Sequence, residues 1–145
     1  MNGNTELLNY IYQNSQMGTV TIKQLLDIPD IVEEADFNSQ LQSQYNEYKR
    51  INDEAAIMLN KNGYDEKGIN AFEKMRTYLM INMQTLADKS TSHISEMMII
   101  GSNMGVIDAI KNIRKYKDAE PGILSLMERL KIFEENNIAS LKMFL

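Results

Sequence analysis

Five polar side chains interrupt stripes that are otherwise apolar at helical spacing: Ser15, Gln44, Arg76, Glu134 and Asn137. When helices pack into a bundle such positions point inward, and interior metal and cofactor sites are built from them. A di-iron centre takes a glutamate from each of two helices and a Glu-x-x-His pair from each of two others, the i, i+3 spacing putting both ligands on one face. Here the nearest approach is Glu134-x-x-Asn137, with an amide in the histidine's place. Gln44 likewise offers an amide where a carboxylate would stand. Amides bind transition metals weakly, and the chain has one histidine, so that centre cannot be assembled.

The single histidine forms an H-x-x-E pair, His93 with Glu96, on one helical face. One reading is a mononuclear metal site or an acid–base pair near neutral pH. The other is a helical first turn, capped by Ser90 or Ser92, with Glu96 at the positive end of the dipole. Two ligands make no site without a third, which favours the first turn. Arg76 is either a buried cation needing Glu134 or Asp108, or an edge residue with its head in water. The edge avoids the desolvation cost.

Eleven methionines include Met75, Met80, Met83, Met97, Met98 and Met104. Thioethers can hold Cu(I) or line an adaptable binding surface, but these lie among Ile and Leu and read as filling of irregular core gaps. Tyr10, Tyr12, Tyr45, Tyr48 and Tyr78 are expected at the rim of the bundle. Gly101 and Gly105 have the G-x-x-x-G spacing of close helix packing, with Ser15 and Gly18 as a facing surface. No thiol chemistry is available, since the chain has no cysteine, and no nucleophile–base pair or phosphate loop stands out.

The elements that must position these residues are helices. Two prolines and seven glycines in 145 residues leave long stretches free of breakers. The stripe Leu8, Ile11, Ser15, Gly18, Ile22, Leu25 predicts a first helix from about Thr5 to Asp27. Phe37, Leu41, Gln44, Tyr48, Ile51, Ala55 and Met58 predict a second from about Asp30 to Lys61, stopped by Asn62-Gly63. A third stripe, Ile69, Phe72, Arg76, Leu79, Met83 and Leu86, starts near Asp65. A fourth helix runs from about Thr91 to Tyr116, and Ile94 to Ile107 is apolar on nearly every side, as in a helix enclosed by its neighbours. Whether the third and fourth are separate or one kinked helix is left open. The last begins after Pro121, with Ile123, Met127, Leu130, Glu134, Asn137, Leu141 and Phe144 as its seam.

Hydrophobic residues at 43% and charged residues at 24% fit one globular domain spanning 1–145. The net charge of −5 repels phosphate backbones, so no nucleic-acid partner is expected. The basic stretch Lys111, Arg114, Lys115 and Lys117 reads as a solvated helix end. No signal peptide or membrane span is recognisable, which makes a cytoplasmic location the expectation.

Residues from Met97 to Leu145 resemble the C-terminal half of small ferritin-like bundle proteins. The resemblance is greatest to a bacterial family with a paired His-His after a methionine, then a small-apolar-Asp pattern, and a final helix with a glutamate-rich turn and an apolar terminus. Gly105-Val106-Ile107-Asp108 fits the middle part. Glu134-Glu135-Asn136-Asn137-Ile138, with Leu141 and Phe144-Leu145, fits the last. Gly101 and Ser102 stand where the paired histidines would be. The resemblance implies a ferritin-like fold and, with those ligands replaced, carries no metal site to this chain.

These observations predict an all-α, four- or five-helix, mostly antiparallel bundle without a cofactor. The expected function is non-enzymatic: self-association as a homo-oligomer, such as a dimer, or protein binding. The alternative is a metal or small-ligand binder with a non-standard site around Glu134/Asn137 or His93/Glu96.

Overall fold

The computed structural model describes residues 3–66 and 87–145, and over these the protein is helical, with no strand. Helix α1 spans Asn4–Leu26, a single turn α2 spans Pro29–Val32, and α3 spans Ala35–Lys61. Helix α4 covers Thr91–Lys115, α5 covers Pro121–Leu141, and a 3-10 turn, Lys142–Phe144, closes the chain. No helix among the described residues is long and apolar enough to cross a membrane. Arg76, Tyr78, Met75, Met80, Met83 and the rest of the third predicted stripe lie outside the described residues.

The β-branched run Thr19-Val20-Thr21 does not interrupt α1; Thr19 Oγ1 donates to the Gln16 carbonyl at 2.8 Å, satisfying its hydroxyl within the helix. The second predicted helix is divided. Glu34 is extended at φ −88, ψ 91, and α3 starts after it rather than at Asp30. A continuous helix would have turned Ile31 roughly 120° away from the Phe37 stripe at about 100° per residue. The break instead lets Ile31 enter the core, where it is fully buried. Helix α4 begins as a separate element, with Ser90 Oγ accepting the His93 amide at 3.2 Å as an N-cap.

Helix α1 packs chiefly on α3 and α4 on α5, and α1 and α3 also touch α5, an arrangement compatible with a bundle. The core between them includes Leu8, Ile11, Leu41, Ile51, Met127 and Leu130. The terminal 3-10 turn brings Phe144 edge-on against Phe37, with ring centroids 5.0 Å apart. Arg129 of α5 forks between Glu47 and Glu54 of α3, fastening the two helices at their outer edge.

Helix α4 is less enclosed than its composition suggests. Its buried face runs through Ile94, Met97, Met98, Ser102, Gly105 and Ala109, but Ile100 is 41% and Ile107 46% exposed. The helix is apolar on more sides than its neighbours cover.

Candidate functional site

Glu134 is brought to the centre of the bundle by the α5 stripe that also buries Met127 and Leu130, and it is 2% exposed. Its carboxylate is held from two helices. Tyr48 of α3 donates its hydroxyl to Oε2 at 2.8 Å, and Asn14 of α1 donates Nδ2 to Oε1 at 2.8 Å. Asn14 Nδ2 also lies 3.3 Å from the Tyr10 hydroxyl, which donates to the Gly105 carbonyl of α4 at 2.9 Å. Four helices are thus joined through one buried polar network.

Two glycines make the room. A Cβ at Gly105 would fall 2.5 Å from Glu134 Oε1, and a Cβ at Gly18 would fall 2.6 Å from the Tyr48 ring. At Gly105 and Gly18, then, it is a side chain and not a facing backbone that comes close. Each glycine admits a large polar side chain from the helix it packs on. Tyr48 is further fixed by an edge contact with Phe133, centroids 4.7 Å apart.

Burial pushes the Glu134 carboxyl up to about 7, against the hydrogen bonds from Tyr48 and Asn14, with nearby Asp108 adding to the rise. Burial and the Glu134 charge likewise raise Tyr48 well above the ordinary phenol range, and Tyr10 is raised by burial, Glu134 and Asp108. Both phenols stay neutral and serve as donors. Among the described residues no lysine or arginine is paired with Glu134.

Beside this network lies a cavity of about 50 Å³, lined by Asn14, Thr21, Gln44, Tyr48, Ser102 and Glu134 on its polar side. Its apolar walls include Met17, Ile22, Leu25, Met97 and Met98. Gln44 is 2% exposed, and among the described residues neither its Oε1 nor its Nε2 has a hydrogen-bond partner. Asn137, also buried, and Ser102 turn side-chain donors toward the Tyr48 hydroxyl. A cavity needs only about 10–15 Å³ to admit a water, so this one holds a few small atoms next to groups that lack partners.

Of the residues singled out in the sequence, the structure brings Gln44 and Glu134 to this cavity, with Asn137 buried one turn beyond on α5. Ser15 is elsewhere in function. Its hydroxyl lies 2.7 Å from the Ile11 carbonyl and accepts Asn52 Nδ2 at 3.2 Å, and Asn52 also donates to the Tyr12 carbonyl at 2.9 Å, which ties α3 to α1. His93 and Glu96 sit in the first turns of α4, Glu96 exposed, and neither lines the cavity. No three His, Asp or Glu side chains among the described residues gather where an ion could be held.

Tyr10 and Tyr48 are core residues, contrary to the rim expected of them, because each hydroxyl has a buried acceptor waiting. Asn14 is not singled out by the sequence, and like Tyr10 it falls beside the α1 stripe; α1 is buried on that side too because it touches α5 as well as α3. Met97 and Met98 do fill the interior, but as cavity walls, while Met104 is only half-buried.

No family model, curated protein or solved structure matches the chain.

Proposed function

We propose that the protein is a non-enzymatic binding module that takes a small polar molecule into the interior of a ferritin-like, mostly antiparallel bundle in the cytoplasm. The observation that carries the proposal is Gln44: a buried amide with both polar atoms unpartnered among the described residues, on the wall of a cavity shared with Glu134. Each buried donor or acceptor left unmet costs about 1–3 kcal/mol, a cost that a bound polar molecule removes. The antiparallel reading is supported by the α1–α3 contacts, where Tyr12 and Ser15 meet Asn52 while Gly18 meets Tyr48, so numbers rise on one helix as they fall on the other. The metal form of the sequence-level alternative has no such support, since one carboxylate, two amides and a phenol make a poor transition-metal set.

Ethanol, ethylamine, acetamide and acetate fit the cavity's scale and differ in polar group. At a ceiling of roughly 1.5 kcal/mol per non-hydrogen atom, three or four atoms bind no more tightly than roughly tens to hundreds of micromolar. Methyl-labelled methionine NMR suits that range. At least one probe should shift the Met17, Met97 and Met98 methyls saturably while leaving exposed Met143 unmoved. No saturable shift at those three with any of the four would overturn the proposal.

A second reading, self-association or protein binding, rests on the outer face of α4, where Ile100, Met104 and Ile107 fall at i, i+4 and i+7 with the two isoleucines exposed. If that face pairs, a mass above that of the monomer in solution should return to the monomer in I100K/I107K. A monomer at high concentration before any substitution removes self-association.

A further inference from the structure

We propose that the interior site selects a small organic cation, a primary alkylammonium ion, over neutral or anionic molecules of the same size. The inference rests on the binding proposal above and names its ligand class. Glu134 is a buried carboxylate whose two partners, Tyr48 and Asn14, are uncharged donors. Charged and titratable groups reach it from three helices: Tyr10 on α1, Tyr48 on α3 and Asp108 on α4. The phenols are neutral and Asp108 is an acid, so the surroundings supply no positive charge among the described residues and add a negative one. A buried charge without a counter-ion is costly, and an arriving cation meets that deficit where an anion would deepen it.

The other groups on the wall suit an ammonium head. An alkylammonium has three donors and no acceptor. The cavity offers acceptors to match: the Glu134 carboxylate, the unpartnered Gln44 Oε1 and the Ser102 hydroxyl, while the Gln44 Nε2 donor is not met by this ligand. A short alkyl tail then lies against Met17, Met97 and Met98, whose unbranched chains adjust to irregular volumes. A carboxylate ligand would face Glu134 with no cation between them, and an alcohol would leave the carboxylate charge unpaired. The apolar walls also distinguish an organic cation from a hydrated metal ion, which such walls cannot solvate.

Titrations of the intact chain with ethylamine, ethanol and potassium chloride test the assignment, read from the Met97 and Met98 methyls at about pH 6 and about pH 8. Ethylamine is protonated at both, so the change in its affinity reports Glu134 ionisation. The affinity should be about tenfold greater at the higher pH, while ethanol should bind more weakly and show no rise. Glu134→Gln should lose the ethylamine preference and its pH dependence but keep any ethanol binding. Because E134Q could alter the fold, the wild-type pH comparison stands on its own. Ethanol binding as tightly as ethylamine at both values, or potassium shifting the same methyls equally, would overturn the cation assignment and leave the interior-site proposal in place. Silence from every probe would overturn both.

Discussion

Gly105 and Glu134 face each other so closely that the glycine's missing side chain is where the carboxylate sits, 2.5 Å from the position a Cβ would take. This juxtaposition places an acid in the centre of a helical core, and most of what can be tested about the protein follows from it.

Gly105→Ala should lower stability by about 1–3 kcal/mol, because the added methyl meets a side chain already held by Tyr48 and Asn14 and cannot be accommodated without moving them. Gly18→Ala should cost a similar amount against the Tyr48 ring. Gly122→Ala is the control. Nothing lies within 4 Å of its Cβ position in the first turn of α5, and the substitution should leave stability unchanged or raise it by up to about 1 kcal/mol. Urea denaturation of the three variants checks the contrast.

Stability should fall between about pH 5 and pH 7.5. The Glu134 carboxyl is held up to about 7 in the folded protein against an ordinary 4.5. The folded state therefore keeps a proton that the unfolded chain has released, and the neutral acid's contribution is present in full below the lower value. It is lost as pH rises through the upper one, a change on the order of 3 kcal/mol. Glu134→Gln, which mimics the neutral acid, should flatten this part of the profile. A wild-type urea midpoint that is level across the window would contradict the burial argument.

Tyr48→Phe removes a donor that favours the ionised carboxylate. The loss should be about 1 kcal/mol near pH 5, where the acid is neutral, and roughly 2–3 kcal/mol near pH 8, where the hydrogen bond is to a charge. Equal losses at both pH values would show that the hydroxyl's contribution does not depend on the charge of Glu134.

Gln44→Met should stabilise the protein by about 1 kcal/mol, since it replaces an amide with no partners among the described residues by an apolar chain of similar size. The same variant should lose polar ligands from the cavity. Greater stability joined to lost binding is the signature of a residue kept for function, and a fall in stability would mean that the amide has a structural partner.

Helical periodicity revealed much of this arrangement. Phe37, Leu41, Gln44, Tyr48, Ile51 and Ala55 are all buried on α3, and the stripe of α5 leads directly to Glu134 and Asn137. Period alone could not show that the chain breaks at Glu34, because Ile31 is drawn inward by a core that exists only once α1 and α3 meet. Nor could it pair Asn14 with Glu134, 120 positions apart, since that depends on how two helices are set lengthwise against each other. The G-x-x-x-G spacing correctly signals a close approach, yet what approaches Gly105 is a side chain rather than a backbone. His93 and Glu96 show the opposite case: a spacing suited to chemistry that the fold places in the opening turns of α4, away from the cavity.

The most direct test of the interior-site account is a high-resolution crystal structure of the protein purified without denaturation, with attention to the space between Gln44 and Glu134. Non-protein density is expected there, a small molecule or ordered water within hydrogen-bonding distance of the Gln44 amide and the carboxylate. A closed, dry core in which Gln44 bonds to another side chain would contradict it.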